Sequence, residues 1–550
     1  MSARGILAVV VLLSVAIAVG AGVAVGGSTD ERPAGEPPNA TLASAYPNPV
    51  ADEDRGEFLV VRFGGPTNTT GWTLTDGKTT ARLPNRTLDG TVAVAMWPKL
   101  ARNHTKHPVV PLSGRLRLAN GGDRLELRAD GTTVSEGRYR DAPEGERWAF
   151  QTGTWEPIGA TAYEPVRTDG GVATAFVLPD APDVTVETLE TADERILIGG
   201  YTFTSERIAT ALSEAVDEGV EVSVLLDGAP VGGMSDRQAR TLDRLVEAGV
   251  DVRVLAGPYT RYRYHHAKYA VVDDRALVTT ENFKPAGVGG KSSRGWGVVL
   301  EDDRVAATLA SLHEDDRTWR AATAWDAYRE GRTFTRLESA IGGYGTEHPP
   351  ERVDVEGTEV LVAPDNAADA LVERIGTAED RILLQQVRIG SHENRLLGAV
   401  LDAAARGVRV RIHLGGSWYV EEDNAELVEW LNRRSETEGW DLRARVDDAE
   451  GYEKIHTKGV VVDDAAVVGS LNWDRSAQSN NREVLVALEG SEAAGYYAEV
   501  FEGDWKGGGD GRALPAGLLA AVAVGGAGAL LLARRMEFLG REGVESDWRS

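Results

Sequence analysis

Read from its apolar and polar positions, the chain falls into three kinds of pattern. After a Pro-rich stretch over residues 30–38, short apolar runs such as Glu57-Phe58-Leu59-Val60-Val61-Arg62-Phe63 alternate with Gly, Asn and Asp turns through about residue 150. That spacing predicts an all-β module, a sandwich. Beyond it the period changes. Thr191-Ala192-Asp193-Glu194-Arg195-Ile196-Leu197-Ile198 returns as Thr377-Ala378-Glu379-Asp380-Arg381-Ile382-Leu383-Leu384. In both places a helical stretch then ends at a glycine, Gly219 or Gly407, ahead of a β-branched run. Helix, glycine, strand, repeated twice, predicts a duplicated α/β body with helices layered on a sheet. Two halves of one size imply a pseudo-two-fold with a site at their interface, so a monomer suffices.

The third pattern lies at the ends. Ile6 to Val25 and Leu514 to Ala533 are apolar runs long enough for a membrane helix, and Arg534-Arg535 follow the second. The positive-inside rule puts the tail in the cytoplasm and residues 28–512 outside the cell membrane. The expected organisation is therefore 1–27 signal peptide or anchor, 28–38 linker, 39–155 β-sandwich, 175–341 first half, 342–352 hinge, 353–506 second half, 514–533 transmembrane helix and 534–550 tail. Four Asn-x-Thr sequons at Asn39, Asn68, Asn85 and Asn103 lie in the exported β region.

Composition narrows the chemistry. The 550 residues contain no Cys, which excludes disulfides, thiolate metal sites and a cysteine nucleophile. The net charge of −26, carried mostly by Asp, Glu and Arg with little Lys, reads as a halophilic surface. Residues 40–160 depart from this trend, with 15 basic against 14 acidic side chains.

The candidate chemistry sits at one place in each copy. His266-Ala267-Lys268 with Asp273 is matched by His456-Thr457-Lys458 with Asp463, and Asn282 and Asn472 follow at the same distance. Residues i and i+2 share a strand face, so each His and Lys project together, while the Asp side chains fall on the other face in a structural role. Facing copies would gather two imidazoles, two ammonium groups and two amides, a set suited to a phosphodiester. One His attacks phosphorus, the other protonates the leaving oxygen, and Lys and Asn hold the charge. The two histidines must then differ in protonation. Lysines supply the positive charge, so no metal or other cofactor is needed. His265, His392 and His413 read as structural or surface residues.

The doubled motif resembles the phospholipase D superfamily over about residues 185–505. That resemblance implies a phosphohistidine intermediate, with His266 as nucleophile and His456 as acid and base. It also implies that a downstream acid, Glu483 in copy two, orients a histidine. In copy one Trp296 or Gly297 stands where such an acid is expected, which raises the prospect of impaired activity. Gly71-Trp72-Thr73-Leu74-Thr75-Asp76-Gly77, with Asn120 to Leu127, resembles a lamin-tail-type domain, implying an immunoglobulin-like sandwich with an accessory role. The substrate stays open between phospholipid and nucleic acid. Tyr259-Thr260-Arg261-Tyr262-Arg263-Tyr264 would present rings on one strand face and guanidinium groups on the other, which suits a single strand, whereas net negative charge opposes it. The membrane helix, close behind the body, favours lipid. The non-enzymatic alternative is a surface binding or envelope protein that retains phosphate binding without turnover.

Overall fold

A computed structural model describes residues 40–50, 55–257, 259–336, 340–448 and 450–507. Both terminal apolar runs, the 28–38 linker, Asn39 and the tail lie outside these residues. Among the described residues no helix is long and apolar enough to cross a membrane.

The N-terminal module is two stacked sheets. One has six strands, ordered Thr154–Pro157, Glu146–Ala149, Ala40–Tyr46, Phe58–Asn68, Thr87–Ala95 and Val109–Pro111. The other has five, ordered Ser113–Gly114, Thr80–Arg82, Thr73–Thr75, Gly122–Ala129 and Thr132–Arg140. Alternate residues point inward, so Leu59 and Val61 of one sheet meet Leu74, Leu125 and Leu127 of the other around Trp72. The module thus runs to Pro157, slightly past residue 155.

Each half of the body contains three parallel strands joined by helices. In the first half these are Arg195–Gly200, Glu221–Asp227 and Asp251–Leu255. In the second they are Arg381–Gln386, Arg409–Leu414 and Leu442–Val446. The helices start where Ser205 and Ser235 accept the backbone N–H three residues on, at Ile208 and Gln238. The first one closes at Gly219, whose φ of 97° a side chain would resist. Antiparallel strands follow, Tyr269–Val272, Arg275–Thr279 and Ser293–Leu300, matched by Lys458–Val462, Ala465–Gly469 and Glu483–Glu489.

The halves do more than pack against each other. Val166–Leu178 and Glu351–Ala363 are long strands that pair antiparallel from Val166↔Val360 to Ala175↔Glu351. They join the two mirror-ordered sheets into one of 16 strands. The first half therefore starts at Val166, ahead of residue 175. One core lies between the halves, where Trp296 stacks on Tyr497 with ring centres 4.8 Å apart. The hinge is strapped down as well, since the Asp180 carboxylate accepts from the backbone N–H of Glu347 at 2.7 Å and His348 at 2.8 Å.

Just before the strand Glu483–Glu489 lies Arg482, and within the start of the strand Ser293–Leu300 lies Arg294; both are fully buried. Arg482 pairs with Asp316 at 2.8 Å and Asp365 at 2.9 Å, and Arg294 with Asp180 and, at 3.0 Å, Asp504. Their carbonyls cross the interface: Arg482 O accepts from His266 N, and Arg294 O from His456 N, both at 2.9 Å. Removing one partner of such a cluster leaves buried charge uncompensated. Arg482→Met is expected to destabilise the folded chain by about 3–5 kcal/mol, read as a lowered urea midpoint.

Candidate active site

His266 and His456 enter from opposite halves, each held through its backbone by the other half. Lys268 Nζ donates to His266 O at 2.6 Å, and Lys458 Nζ to His456 O at 2.7 Å, so the i, i+2 relation places each ammonium beside its histidine. Burial pushes Lys458 down to about 8 and Lys268 well below its ordinary range. Asp273 and Asp463 turn away, each placed in the turn that follows its strand, with φ of 54° and 51°. Asp273 accepts from the N–H groups of Asp193, Glu194 and Arg195 at 2.7–2.9 Å, and Asp463 from Glu379, Asp380 and Arg381 at 2.8–2.9 Å. Each Asp pins the loop before its half's first parallel strand. Burial acts to raise these carboxyls, but the three N–H donors hold them below the usual range.

The carboxylates complete the arrangement, and here one expectation is corrected. Glu483 is buried and accepts from His266 Nδ1 at 2.9 Å, so it serves the histidine of the other half. Matching the crossed carbonyl bonds of Arg294 and Arg482 aligns Glu483 with Gly295, not with Trp296 or Gly297. Copy one is not without an acid. Glu281, in the position of Leu471, sends its Oε2 to 3.2 Å from His456 Nδ1. It fills the space that a side chain at 295 would need: a Cβ on Gly295 would lie 2.4 Å from Glu281 Cγ. The acid has moved one strand over. Thr280 in place of Ser470 costs nothing, because its hydroxyl accepts from Trp296 N at 3.0 Å as Ser470 Oγ accepts from Val484 N at 3.1 Å.

The two carboxyls differ in charge. Burial acts to raise Glu483, but His266 and Lys268 bring it below the usual range. Burial raises Glu281 to about 7 in spite of Lys458, Lys284, Lys268 and Lys454. Four of the chain's nine lysines thus surround this one carboxyl. Lys284 and Lys454 escaped the sequence reading because neither belongs to the repeated motif. The imidazoles themselves do not differ as expected. Burial, only partly offset by Glu483, lowers His266 to about 4, and burial with Lys458 lowers His456 well below its ordinary value. The acids differ where the imidazoles do not: Glu483 is hydrogen-bonded to His266 and held below the usual range, whereas burial raises Glu281, 3.2 Å from His456 Nδ1 and without a hydrogen-bond partner among the described residues, to about 7.

Asn282 is buried with its Oδ1 unpaired, and Asn472 is half-buried. His265 is structural, its N–H donating to Asp227 and its Nδ1 lying 3.3 Å from Gly200 O. His413 is buried between Gln385 and Asp447, and His392 is exposed beside Trp430. The Tyr259–Tyr264 stretch is not a strand and has no two-faced stripe. Tyr262 is buried against Asp316 and Arg482, Arg261 lies over Trp319, and Tyr264 packs on Tyr201. Tyr201 in turn meets the His266 ring edge-on at 4.8 Å.

A family model described as cardiolipin synthase, PLD-like domain, matches residues 185–316 and 371–505, the two halves just described. The duplicated body is phospholipase D-like. Curated relatives include phospholipase D of Rickettsia bellii, 26% identical over 137 residues, and of Rickettsia conorii, also 26%. Each match covers 25% of this chain and 62% of the relative, so the chain spans about three fifths of their length. Among solved structures, phosphatidylserine synthase of Haemophilus influenzae aligns over 59% of this chain and 83% of its own, at 15% identity and a TM-score of 0.44. The phospholipase D family member Nuc of Salmonella typhimurium aligns over 29% and 98%, at 20% identity and a TM-score of 0.25.

In the phospholipase D-like site, kcat/KM for a small diester such as bis(p-nitrophenyl) phosphate should follow a bell. It rises with pH through about 4 as His266 loses its proton, and falls through about 7 as Glu281 loses its own. Glu281→Gln keeps the shape without the titration, so the alkaline limb should move and the rate fall on the order of 10²-fold. Glu281→Leu should lose activity likewise, and adding Gly295→Glu to it should return part of that loss, because the acid then occupies the position that Glu483 holds opposite.

Proposed function

We propose that the chain is a metal-independent phosphodiesterase that cleaves phospholipid or nucleic-acid diesters through a phosphohistidine on His266. The observation that carries this reading is the pair of crossed histidine–carboxyl contacts, His266 with Glu483 and His456 with Glu281. Glu483 accepts the Nδ1 proton of His266 and leaves Nε2 with its lone pair toward the cleft. Nε2 attacks phosphorus, a P–N bond forms, and the P–O bond to the leaving alcohol breaks as His456 gives that oxygen a proton. In the second step His456 takes a proton from water, the water oxygen attacks phosphorus, and the P–N bond breaks back to His266. Lys268, Lys458, Asn282 and Asn472 hold the equatorial oxygens. The lysines around Glu281 oppose a divalent cation at that carboxyl, which supports a mechanism without metal. We further read the protein as a membrane-anchored ectodomain that works as a monomer, with a lamin-tail-type accessory module at its N-terminus. The terminal apolar runs and the sequons at the exposed Asn68 and Asn85 support that placement, while the Asn103 side chain is buried.

The test is hydrolysis of bis(p-nitrophenyl) phosphate by the full chain with EDTA present. Turnover should persist in EDTA and fall by at least about 10³-fold in His266→Ala. His456→Ala should still release a first burst of p-nitrophenol, a leaving group that needs little help, and then stall with a p-nitrophenylphosphoryl group on His266. A burst in His266→Ala but not in His456→Ala would reverse the two roles. No turnover on this diester, on lipid or on single-stranded DNA would leave the binding-protein alternative standing.

A further inference from the structure

The seam between the N-terminal module and the first catalytic half gathers the positive charge that the rest of the chain avoids. Residues 40–160 carry a net charge of +1 within a chain of −26. Part of that charge faces the body across a hollow of about 700 Å³, where Arg102, Lys106 and Arg147 of the module stand opposite Arg261 and Trp319. A second hollow of about 690 Å³ shares Arg261 and Trp319 and continues past Arg263 and Tyr264 to His265, the neighbour of His266. Together, through Arg261 and Trp319, they form one trough that ends at the buried His265. Three acids line its walls: Asp315, whose carboxylate accepts from Tyr163, and the buried Asp227 and Asp316.

The trough is built and held. Trp319 Nε1 donates to Tyr259 O at 2.8 Å, and the guanidinium of Arg261 lies 3.6 Å from its ring centre. Arg320 also lies over that ring, at 5.0 Å, and donates to Arg102 O, tying body to module. The local field is positive. Burial lowers His107 and Arg147 and Arg62 lower it further, while burial with Arg320 takes His104 to about 4.

A separate observation points to a ligand. Asn103, in the wall of this trough, is only 8% exposed, yet neither its amide oxygen nor its nitrogen has a partner. A buried amide left unpaired is costly, and a polar ligand would relieve it. Its sequon does not account for it, because a side chain buried this far cannot carry a glycan in the folded protein.

We propose that this trough binds the sugar–phosphate backbone of a single-stranded nucleic acid and directs it toward His266. Cations strung along a trough match repeated phosphates, whereas a lipid head group offers its phosphate at one point. Guanidinium planes and the ring of Tyr264 along the same path suit unpaired bases. The orientation toward His266 rests on the phosphodiesterase reading; the binding itself does not.

Binding is measured with the full chain carrying His266→Ala, which cannot turn over, using fluorescein-labelled dT20 across a potassium chloride titration. Adding Arg102→Glu, Lys106→Glu and Arg261→Glu should weaken binding at least tenfold and reduce the slope of log affinity against log salt by about 2. Because Arg261 also packs on Trp319, the exposed pair Arg102→Glu and Lys106→Glu is measured separately and should reduce the slope by about 1.4. Arg409→Glu, Arg433→Glu and Arg443→Glu on the second half should change binding less than twofold. Equal weakening by both triples would reduce the effect to bulk charge and overturn the proposal. So would unaltered dT20 binding, or loss confined to vesicles of phosphatidylcholine and phosphatidylglycerol. If dT20 binding depends on the trough but bis(p-nitrophenyl) phosphate is not hydrolysed by the His266 chain, the catalytic reading falls and the trough stands; the converse separates them the other way.

Discussion

Two buried arginines, each clamped by two aspartates, govern the geometry of everything around them. Taking these charges out of water is expensive, and the clusters return that cost only because every partner is in place. Their benefit to the site is positional. With the guanidinium of Arg482 fixed by Asp316 and Asp365, its carbonyl is fixed too, and that carbonyl holds His266 N from the opposite half. Arg294 does the same for His456. The aspartates come from both ends of each half, from the strand–helix junctions at Asp180 and Asp365 and from the helices containing Asp316 and Asp504. Each histidine is thus tied, through one arginine, to aspartates of both halves.

Much of this was legible in the sequence because it repeats. The strand–helix alternation and the two His-x-Lys pairs follow from spacing, whereas Asp273 and Asp463 take their place from the turns after their strands, at φ of 54° and 51°, and not from a strand face. What could not be read was whatever broke the repeat. Glu281 was hidden because the comparison of copies looked for an acid at the place of Glu483, while the space vacated at Gly295 let a neighbouring strand supply it. The aromatic and arginine alternation of residues 259–264 looked like a strand, yet tertiary partners won over local pattern: Tyr262 is drawn inward to Asp316 and Arg482, and Arg261 outward to Trp319. The joining of both halves into one sheet was also invisible, because long strand pairing between distant segments leaves no periodic mark.

Charge is distributed with equal economy. The chain uses arginine nearly everywhere and keeps few lysines, yet lysines crowd the candidate site. An ammonium on a flexible stem can follow a phosphate through bond making and breaking, and burial tunes it in a way that guanidinium resists. Arginine takes the complementary duty in the Asp clusters, where planar, permanent charge is what a rigid scaffold requires.

The antiparallel pairing of Val166–Leu178 with Glu351–Ala363 has an evolutionary meaning beyond stability. Two identical subunits meeting around a two-fold axis must change both sides of their shared site whenever either mutates. Once the halves are one polypeptide, that symmetry no longer binds them. An acid can migrate to a different strand on one side alone, and the two histidines can be given unlike proton reservoirs. Fusion thus converts a symmetric site into one whose two faces are free to specialise.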